Sequence, residues 1–340
     1  MTGRNVVCLG AACAALLAFA SFRAAAQPIP QKMPDDYARA AARVTIAPGR
    51  QINLRCAGHG ARTVVLEAGS HAESSTWFRV QPLLASFTRV CAYDRAGYGF
   101  SDAGPLPRNL DADVDDLHAL IHRAGIATPV VLVGHSLGSN IARRYAELHP
   151  ADVAAMVLID PPAQDIAAFA PGWEHDEREL DKQRFAFIRA CEAAAEKGML
   201  AKKLPPGLEQ CLAGDDPHAD AKVNAATRAW KSRPGFWRTL LSELQDNARV
   251  FAAPVSDSET HGATPLLVLS ASDTYVGAPA KLRPALEAAR SKTQADITAT
   301  SSRGRVVHVQ DASHDIQLDQ PEAVVDAVRQ VLRQFTAPEH

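Results

Sequence analysis

The sequence has little net charge and no dense run of basic side chains. Its 36 Lys and Arg residues nearly balance 38 Asp and Glu residues, which leaves a formal charge of −2. Proteins that bind nucleic acid or anionic membrane surfaces concentrate Lys and Arg in one segment or on one face. The sequence therefore indicates no nucleic-acid partner, and its function is to be sought in a local site.

The sequence also lacks an apolar run of the roughly 20 residues that a membrane-spanning helix needs. Its N-terminal apolar run, residues 6–20, follows Arg4 and precedes three alanines at positions 24–26. This order is typical of a cleaved signal peptide. We therefore expect residues 1–26 to be removed and the remaining chain to be exported to the periplasm or secreted, without stable membrane insertion.

The composition excludes the non-globular classes. Apolar residues make up 47% of the chain and charged residues 22%, which rules out a disordered chain, a collagen-like repeat and a coiled coil. A length of 340 residues exceeds that of an average domain. An open α/β sheet with insertions nevertheless reaches this length around a single core.

Cysteine is scarce, and two of the six cysteines fall in the predicted signal peptide. The remaining four are Cys56, Cys91, Cys191 and Cys211, an even number in a chain that we expect to meet an oxidising compartment, where disulfides persist. Sequence proximity favours Cys191 with Cys211, which leaves Cys56 with Cys91. Four buried free thiols are the alternative.

Short runs rich in β-branched residues alternate with helical patterns, which predicts a mostly parallel sheet with flanking helices. Eight strands are predicted, over 43–46, 52–56, 63–67, 89–93, 130–133, 155–159, 266–269 and 305–309. Helices are predicted to begin near Trp77 and to span 111–124, 137–148, 280–290 and 321–335.

The segment from 161 to 263 interrupts this alternation because it contains helical patterns and no convincing strand. We expect it to be a helical cap inserted into a core formed by residues 27–160 and 264–340. The segment holds three of the four tryptophans, Trp173, Trp230 and Trp237. Its aromatic residues either form the core of the insertion or line a pocket for an apolar substrate.

The most informative motif is G-x-S-x-G at residues 134–138, between a predicted buried strand and a predicted helix. A sharp turn from strand to helix holds Ser136 clear of the backbone, where a base can take its proton. Glycine at 134 and 138 provides room for the tight turn. The motif therefore predicts Ser136 as a nucleophile, with a mere helix cap as the alternative.

With this motif, the chain resembles the α/β-hydrolase superfamily, in its lipase, esterase and haloperoxidase-like branch with a helical cap. The resemblance covers nearly all of residues 43–336. It also rests on three further segments, Leu66-Glu67-Ala68-Gly69-Ser70, Tyr93-Asp94-Arg95-Ala96-Gly97-Tyr98-Gly99-Phe100-Ser101 and His314 followed by Asp319-Gln320-Pro321-Glu322.

The resemblance implies the remaining site residues. His314, between the last strand and the last helix, corresponds to the family's catalytic base. The acid is either Asp160, after the sixth strand, or Asp273, after the seventh, and we slightly favour Asp160. The backbone N–H groups of Ser70 and Leu137 are the expected oxyanion-hole donors.

No metal or organic cofactor is implied. His118 and His122 stand four residues apart on a predicted helix, but the intervening residues lack the glutamate of a zinc-protease motif, and the sequence reveals no third ligand. A solvated helix face is the simpler interpretation of this pair.

The sequence thus predicts an exported serine hydrolase whose substrate is a small molecule, an apolar carboxylic ester of undetermined chain length. Amide, thioester, carbon–carbon and haloperoxidase-like chemistry share the same triad. An epoxide hydrolase or haloalkane dehalogenase is disfavoured because the resemblance to those relatives requires Asp at position 136. A noncatalytic ligand-binding protein on the same scaffold is the alternative from another class. The oligomeric state stays open.

Overall fold

The structure is a computed structural model that describes residues 28–201, 204, 206–212 and 214–335. The predicted signal peptide lies outside the described residues. Within them, no helix combines the length and the apolar character that crossing a membrane requires.

A single eight-stranded sheet runs through the described part of the chain, in the order β1-β2-β4-β3-β5-β6-β7-β8. Strand β2 pairs antiparallel with β1 and β4, and the other neighbouring strands are parallel. The predicted fold class is confirmed. The strands are Ala42–Ala47 (β1), Arg50–Ala57 (β2), Thr63–Glu67 (β3), Arg89–Tyr93 (β4), Val130–His135 (β5), Val153–Ile159 (β6), Leu266–Ala271 (β7) and Gly304–Val309 (β8).

The helices of the described residues flank the sheet or lie between β6 and β7. They are Val80–Ala85 (α1), Leu110–Arg123 (α2), Leu137–Leu148 (α3), Trp173–Glu196 (α4), Ala221–Lys231 (α5), Pro234–Phe251 (α6), Arg283–Ala299 (α7), Ile316–Asp319 (α8) and Pro321–Arg333 (α9). Short 3₁₀ helices add Asp35–Ala38, Ser74–Trp77, Pro150–Asp152, Ile166–Ala168 and Glu209–Cys211.

The bounds predicted for α7, residues 280–290, are wrong. The helix begins at Arg283, with Pro284 in its first turn, and continues to Ala299. Its buried positions recur at helical spacing through Thr293 and Ile297, which are β-branched residues with lower helix propensity. Packing against the sheet therefore extends the helix beyond the point where local propensity alone would end it.

The central strands are covered on both faces. Every residue of β3, β5, β6 and β7 is buried, as expected for parallel strands with helices on each side. Because side chains alternate along a strand, Val65 and Leu132 pack in the apolar layer that contains residues of α2, α3 and α7. Val64 and Val131 pack in the opposite layer, with residues of α1 and α9.

Helices α4, α5 and α6, here called the cap helices, contain most of a separate apolar cluster. Trp230, Phe236 and Trp237 are buried in this cluster. The disulfide between Cys191 and Cys211 lies in the same cluster. These aromatic residues therefore mainly form a core among the cap helices, and most of them do not line a substrate pocket.

The second disulfide joins Cys56 to Cys91. These residues are directly opposite one another on the antiparallel strands β2 and β4. Both disulfides thus have the pairing that sequence proximity favours.

Candidate active site

The G-x-S-x-G segment forms the turn between β5 and α3. Ser136 lies between the two elements, with φ 52° and ψ −122°, a backbone conformation that costs energy in a residue with a side chain. Its N–H donates to the Ile159 carbonyl of the neighbouring strand β6 at 2.9 Å. The predicted nucleophile therefore occupies a strained turn at the carboxyl end of the sheet.

Close backbone contacts explain both glycines of the motif. A Cβ atom on Gly134 would lie 2.2 Å from the Gly138 carbonyl oxygen, and one on Gly138 would lie 2.4 Å from the Glu67 carbonyl oxygen. These neighbours are backbone atoms, which have little room to move. Only glycine lets β5, α3 and the end of β3 approach this closely.

His314 lies in the loop between β8 and α8. Its Nδ1 is 2.7 Å from Oδ2 of Asp160, the residue that directly follows β6. Its ring centroid is 4.8 Å from that of His135, the residue before Ser136. The carboxyl ends of β5, β6 and β8 thus bring the predicted nucleophile, base and acid to one edge of the sheet.

Asp160 is fully buried but has a complete set of polar partners. Its Oδ1 accepts from Arg290 Nη1 at 2.7 Å and from Gln294 Nε2 at 3.1 Å. Its Oδ2 accepts from Thr274 Oγ1 at 2.6 Å. Burial alone would raise the pKa of Asp160, but the hydrogen bond and charge of His314 and the charge of Arg290 outweigh it and lower the pKa. This carboxyl group is therefore ionised at neutral pH.

Asp273, the alternative acid, does not make this contact. Its side chain is exposed, and its backbone N–H donates to the Ala312 carbonyl at 2.9 Å. The structure therefore pairs His314 with Asp160. The two candidates follow adjacent parallel strands, and the positions of the loops decide which carboxylate lies at the imidazole.

The loop after β3 approaches the predicted nucleophile closely. A Cβ atom on Gly69 would lie 3.2 Å from Cβ of Ser136, so the backbone of this loop passes beside the serine. Ser70, the next residue, is a predicted oxyanion donor. Leu137, the other predicted donor, is the first residue of α3, where backbone N–H groups have no partner within the helix.

A buried guanidinium holds the loop after β3 in place. Arg95 donates through Nη1 to the Ala68 carbonyl at 2.6 Å and through Nη2 to the Gly69 carbonyl at 2.8 Å. It also forms ion pairs of 2.9 Å with Glu67 and with Glu243. The side chains of Arg95, Glu67 and Glu243 are each at most 4% exposed. Removing one partner from such a group leaves an uncompensated buried charge.

Glu243 belongs to cap helix α6 and connects the cap to this loop. Its Oε1 accepts from Ser70 Oγ at 2.6 Å and from the Tyr98 hydroxyl at 3.0 Å. Burial alone would raise the pKa of Glu243, but the charge of Arg95 and the hydrogen bond from Ser70 lower it. The position of the loop beside Ser136 therefore depends on a charged residue of the cap.

His135 supports the segment around His314. Its Nε2 donates to the His314 carbonyl, with the two atoms 3.0 Å apart. Burial, together with the nearby charge of His314, lowers the pKa of His135 to about 4. His135 is therefore a neutral, positioning side chain at neutral pH.

A cavity of about 610 Å³ extends from Ser70 to the cap helices α4 and α6. Its apolar lining residues are Pro162, Ala163, Ile166, Ala167, Trp173, Leu244, Ala248, Phe251, Ala252 and Tyr275. Its polar lining residues are Ser70, His71, Glu174, Glu177, Arg178, Asp181, Arg184 and Asn247. Among the three tryptophans between β6 and β7, Trp173 is therefore the one that lines this cavity.

Comparison with known protein families identifies the chain. The alpha/beta hydrolase family matches residues 56–327. The chain belongs to the alpha/beta hydrolase family.

Solved structures resemble this hydrolase over most of its length. A thermophilic esterase from Thermogutta terrifontis is 21% identical with a TM-score of 0.56, over 86% of this chain and 99% of that one. An alpha/beta hydrolase fold protein from Burkholderia ambifaria is 22% identical with a TM-score of 0.54, over 85% and 97%. At such identities the likeness shows the fold alone.

Curated relatives match a smaller share of their own length. Lipase LipV of Mycobacterium tuberculosis is 43% identical over 72 residues, which are 21% of this chain and 27% of LipV. The probable transporter efuK of Hormonema carpetanum is 24% identical over 296 residues, 82% of this chain and 40% of that protein. The matched segments thus cover less than half the length of each of these relatives.

For two of the residues that support the site, the sequence showed an unusual position but not the residue that each one contacts. Glu67 is a charged residue at the end of a fully buried strand, and Arg95 lies within a motif that carries the family resemblance. A buried charge needs an oppositely charged partner, so both positions indicate a buried ion pair. Nothing in the sequence pointed to Glu243 or Arg290, because each lies on a helix among other charged residues.

Proposed function

We propose that this hydrolase is an exported serine hydrolase that cleaves carboxylic esters. The observation that carries the proposal is the 2.7 Å hydrogen bond between His314 Nδ1 and Asp160 Oδ2, at the same end of the sheet as Ser136 in its strained turn between strand and helix. A serine, an imidazole and a carboxylate in these positions suit nucleophilic acyl transfer.

In the proposed mechanism, Ser136 Oγ attacks the ester carbonyl while His314 Nε2 takes its proton. Asp160 holds the Nδ1–H of the ring and stabilises the imidazolium that forms. The protonated His314 then donates its proton to the leaving alcohol. Water, deprotonated by His314, attacks the acyl-enzyme, which releases the carboxylic acid and regenerates Ser136.

The backbone N–H groups of Leu137 and Ser70 bind the oxyanion of the tetrahedral intermediates. The positive end of the α3 dipole adds to the stabilisation of that charge. Because hydrogen-bond donors must be held in place before charge develops, the Arg95 contacts with the Ala68 and Gly69 carbonyls support the assignment of Ser70. The side chains of Leu137 and Ser70 take no direct part in this step.

The cavity beneath the cap supports a small or medium-sized apolar ester as the substrate. Its volume of about 610 Å³ falls within the ordinary range for small-molecule sites, and Trp173, Phe251 and Leu244 provide apolar lining. Similarity to an esterase and to a lipase agrees with ester hydrolysis. Export is supported by the predicted signal peptide and by two disulfides.

Active-site labelling tests the proposal. A fluorophosphonate probe is expected to label the folded wild-type protein and to leave Ser136→Ala unlabelled. Hydrolysis of p-nitrophenyl butyrate is expected to fall at least about 10³-fold in Ser136→Ala and in His314→Ala. His308→Ala is a matched control, because His308 is exposed on β8, and it should hydrolyse the ester as fast as the wild type.

Two results would contradict ester hydrolysis by this site. Folded wild-type protein that neither reacts with the probe nor hydrolyses any ester in a panel of acyl lengths would favour a noncatalytic ligand-binding protein. Labelling of Ser136 without ester hydrolysis would retain the activated serine and move the substrate to an amide, a thioester or a carbon–carbon bond.

A further inference from the structure

A second cluster of chemically reactive side chains lies away from the active site. His118 and His122 lie one turn apart on α2, and Asp152 ends the 3₁₀ helix that precedes β6. One ligand atom from each of the three residues lies within 4.8 Å of the other two. The sequence revealed no third ligand for the histidine pair, and the fold brings Asp152 to it from 30 residues beyond His122.

The spacing of these atoms fits a metal ion. His122 Nε2 is 3.0 Å and His118 Nδ1 is 3.5 Å from the same carboxylate oxygen, Oδ2 of Asp152. Tetrahedral zinc with bonds of about 2.0–2.1 Å holds its ligand atoms roughly 3.3 Å apart. The observed 3.5 Å and 3.0 Å distances lie close to this separation.

Neighbouring side chains orient two of the three residues. The Tyr145 hydroxyl donates to Asp152 Oδ2 at 3.0 Å. The His149 ring stacks on His118 with 3.9 Å between centroids and 11° between planes. Such contacts around the ligands fix their orientation and raise metal affinity.

We propose that His118, His122 and Asp152 bind one divalent transition-metal ion, with zinc the best match to two imidazoles and a carboxylate. A water molecule completes the coordination. Without a metal, His122 Nε2 hydrogen-bonds to Asp152 Oδ2 at 3.0 Å and His118 Nδ1 to the Tyr145 hydroxyl at 3.2 Å. In the proposed site, His118 Nδ1 exchanges the Tyr145 contact for the ion, and all three residues bind it.

The site is structural and does not belong to the ester-hydrolysing centre. Helix α3 begins directly after Ser136 and ends at Leu148, and its 12 residues span about 18 Å. Asp152 lies just beyond the far end of this helix, at the edge of the sheet opposite Ser136. The ion therefore ties α2 to the turn before β6, and because the unfolded chain lacks the assembled ligands, binding stabilises the fold.

Titration of the wild-type protein with zinc chloride, without a histidine tag and after removal of metal with a chelator, tests the site. Calorimetry is expected to give one ion per chain, and the melting temperature is expected to rise with zinc. His122→Ala should weaken binding at least about 10-fold, since even changes to residues that only orient ligands cost 10- to 100-fold. His308→Ala, an exposed histidine on β8, is the matched control and should bind as the wild type does.

Cobalt(II) provides a second readout that depends on geometry. Tetrahedral coordination by His118, His122 and Asp152 should give a visible absorption band in the wild type that is absent in His122→Ala and in Asp152→Asn. The proposal is overturned if zinc does not saturate at one ion per chain. Equal affinities in the wild type and His122→Ala would also overturn it, as would a cobalt spectrum that Asp152→Asn leaves unchanged.

Discussion

Asp160 and His314 are separated by 154 positions in the chain and joined by a hydrogen bond of 2.7 Å. Asp160 directly follows β6 and is fully buried, and His314 lies in the loop after β8 with a side chain that is 35% exposed. Arg290 binds the other carboxylate oxygen of Asp160 at 2.7 Å. The carboxylate therefore stays ionised beside an imidazole that solvent and substrate can reach.

Replacing this carboxylate should slow catalysis strongly. Asp160→Asn is expected to lower kcat for p-nitrophenyl butyrate by roughly 10³- to 10⁴-fold, because the ring of His314 loses the group that fixes its tautomer and stabilises its charged form. Asp273→Asn is the matched control, since Asp273 is exposed and follows the neighbouring strand. Circular dichroism should verify that both variants are folded. Equal activity of folded Asp160→Asn and wild type would contradict the assignment.

The buried pair of Arg95 and Glu243 should affect both stability and turnover. Glu243→Gln removes one of the two negative charges that neutralise the buried Arg95 guanidinium. We therefore expect the free energy of unfolding to fall by about 3 kcal/mol. We also expect kcat to fall with little change in KM, because the Arg95 guanidinium also holds the loop of Ser70. Steady-state kinetics and urea unfolding measure the two effects.

Ser70→Ala is the companion variant for this network. It removes the Oγ contact with Glu243 but keeps the backbone N–H, so the variant should lose less than about 10-fold in kcat, whereas removal of an oxyanion donor costs about 10²- to 10³-fold. A loss of that larger size in Ser70→Ala would show that the side chain, rather than the backbone, binds the oxyanion.

The tight turn at the predicted nucleophile should not tolerate a methyl group. Gly134→Ala places a Cβ atom 2.2 Å from the Gly138 carbonyl oxygen, so β5 and α3 must move apart. We expect a loss of at least about 3 kcal/mol in the free energy of unfolding, at the upper end for overpacking, together with loss of fluorophosphonate labelling. Gly277→Ala, where no atom lies within 4 Å of the added Cβ, should change stability by less than about 0.5 kcal/mol.

His135 should contribute to acid sensitivity. Burial lowers its pKa from the ordinary value of 6.5 to about 4 in the folded protein, so between these values the unfolded chain binds a proton that the folded protein does not. Stability therefore falls as the pH is lowered from about 6.5 to about 4. Urea unfolding at pH 7 and pH 5 should show a drop that is about 1–2 kcal/mol smaller in His135→Gln than in wild type. An identical drop in both proteins would contradict a buried neutral His135.

The fold could be predicted largely from local patterns. The strand predicted at residues 63–67 has the observed bounds, and so does the helix predicted at residues 137–148, because apolar spacing and flanking glycine or polar residues determine such elements locally. The exception is α7, where residues beyond Arg290 remain helical through packing against the sheet. Burial against distant residues can override a weak helix propensity, and a local sequence pattern carries no information about such burial.

For the site, local sequence patterns specify which residue types stand at the ends of which strands. The G-x-S-x-G spacing specified the turn at Ser136, since backbone contacts at Gly134 and Gly138 exclude any side chain. The position of His314 between a strand and a helix likewise followed from the order of elements. Local chemistry restricts the residues at these positions so strongly that their roles can be predicted from the sequence alone.

Which distant side chains meet depends instead on the three-dimensional packing of the chain. This packing places Asp160 rather than Asp273 at His314, sets Glu243 of the cap against Arg95, and brings Asp152 to His118. Such contacts depend on the lengths and paths of loops and on how helices pack across the sheet, and a difference of a few ångströms selects one carboxylate over another. That information is distributed over the whole chain, so no single segment of the sequence contains it.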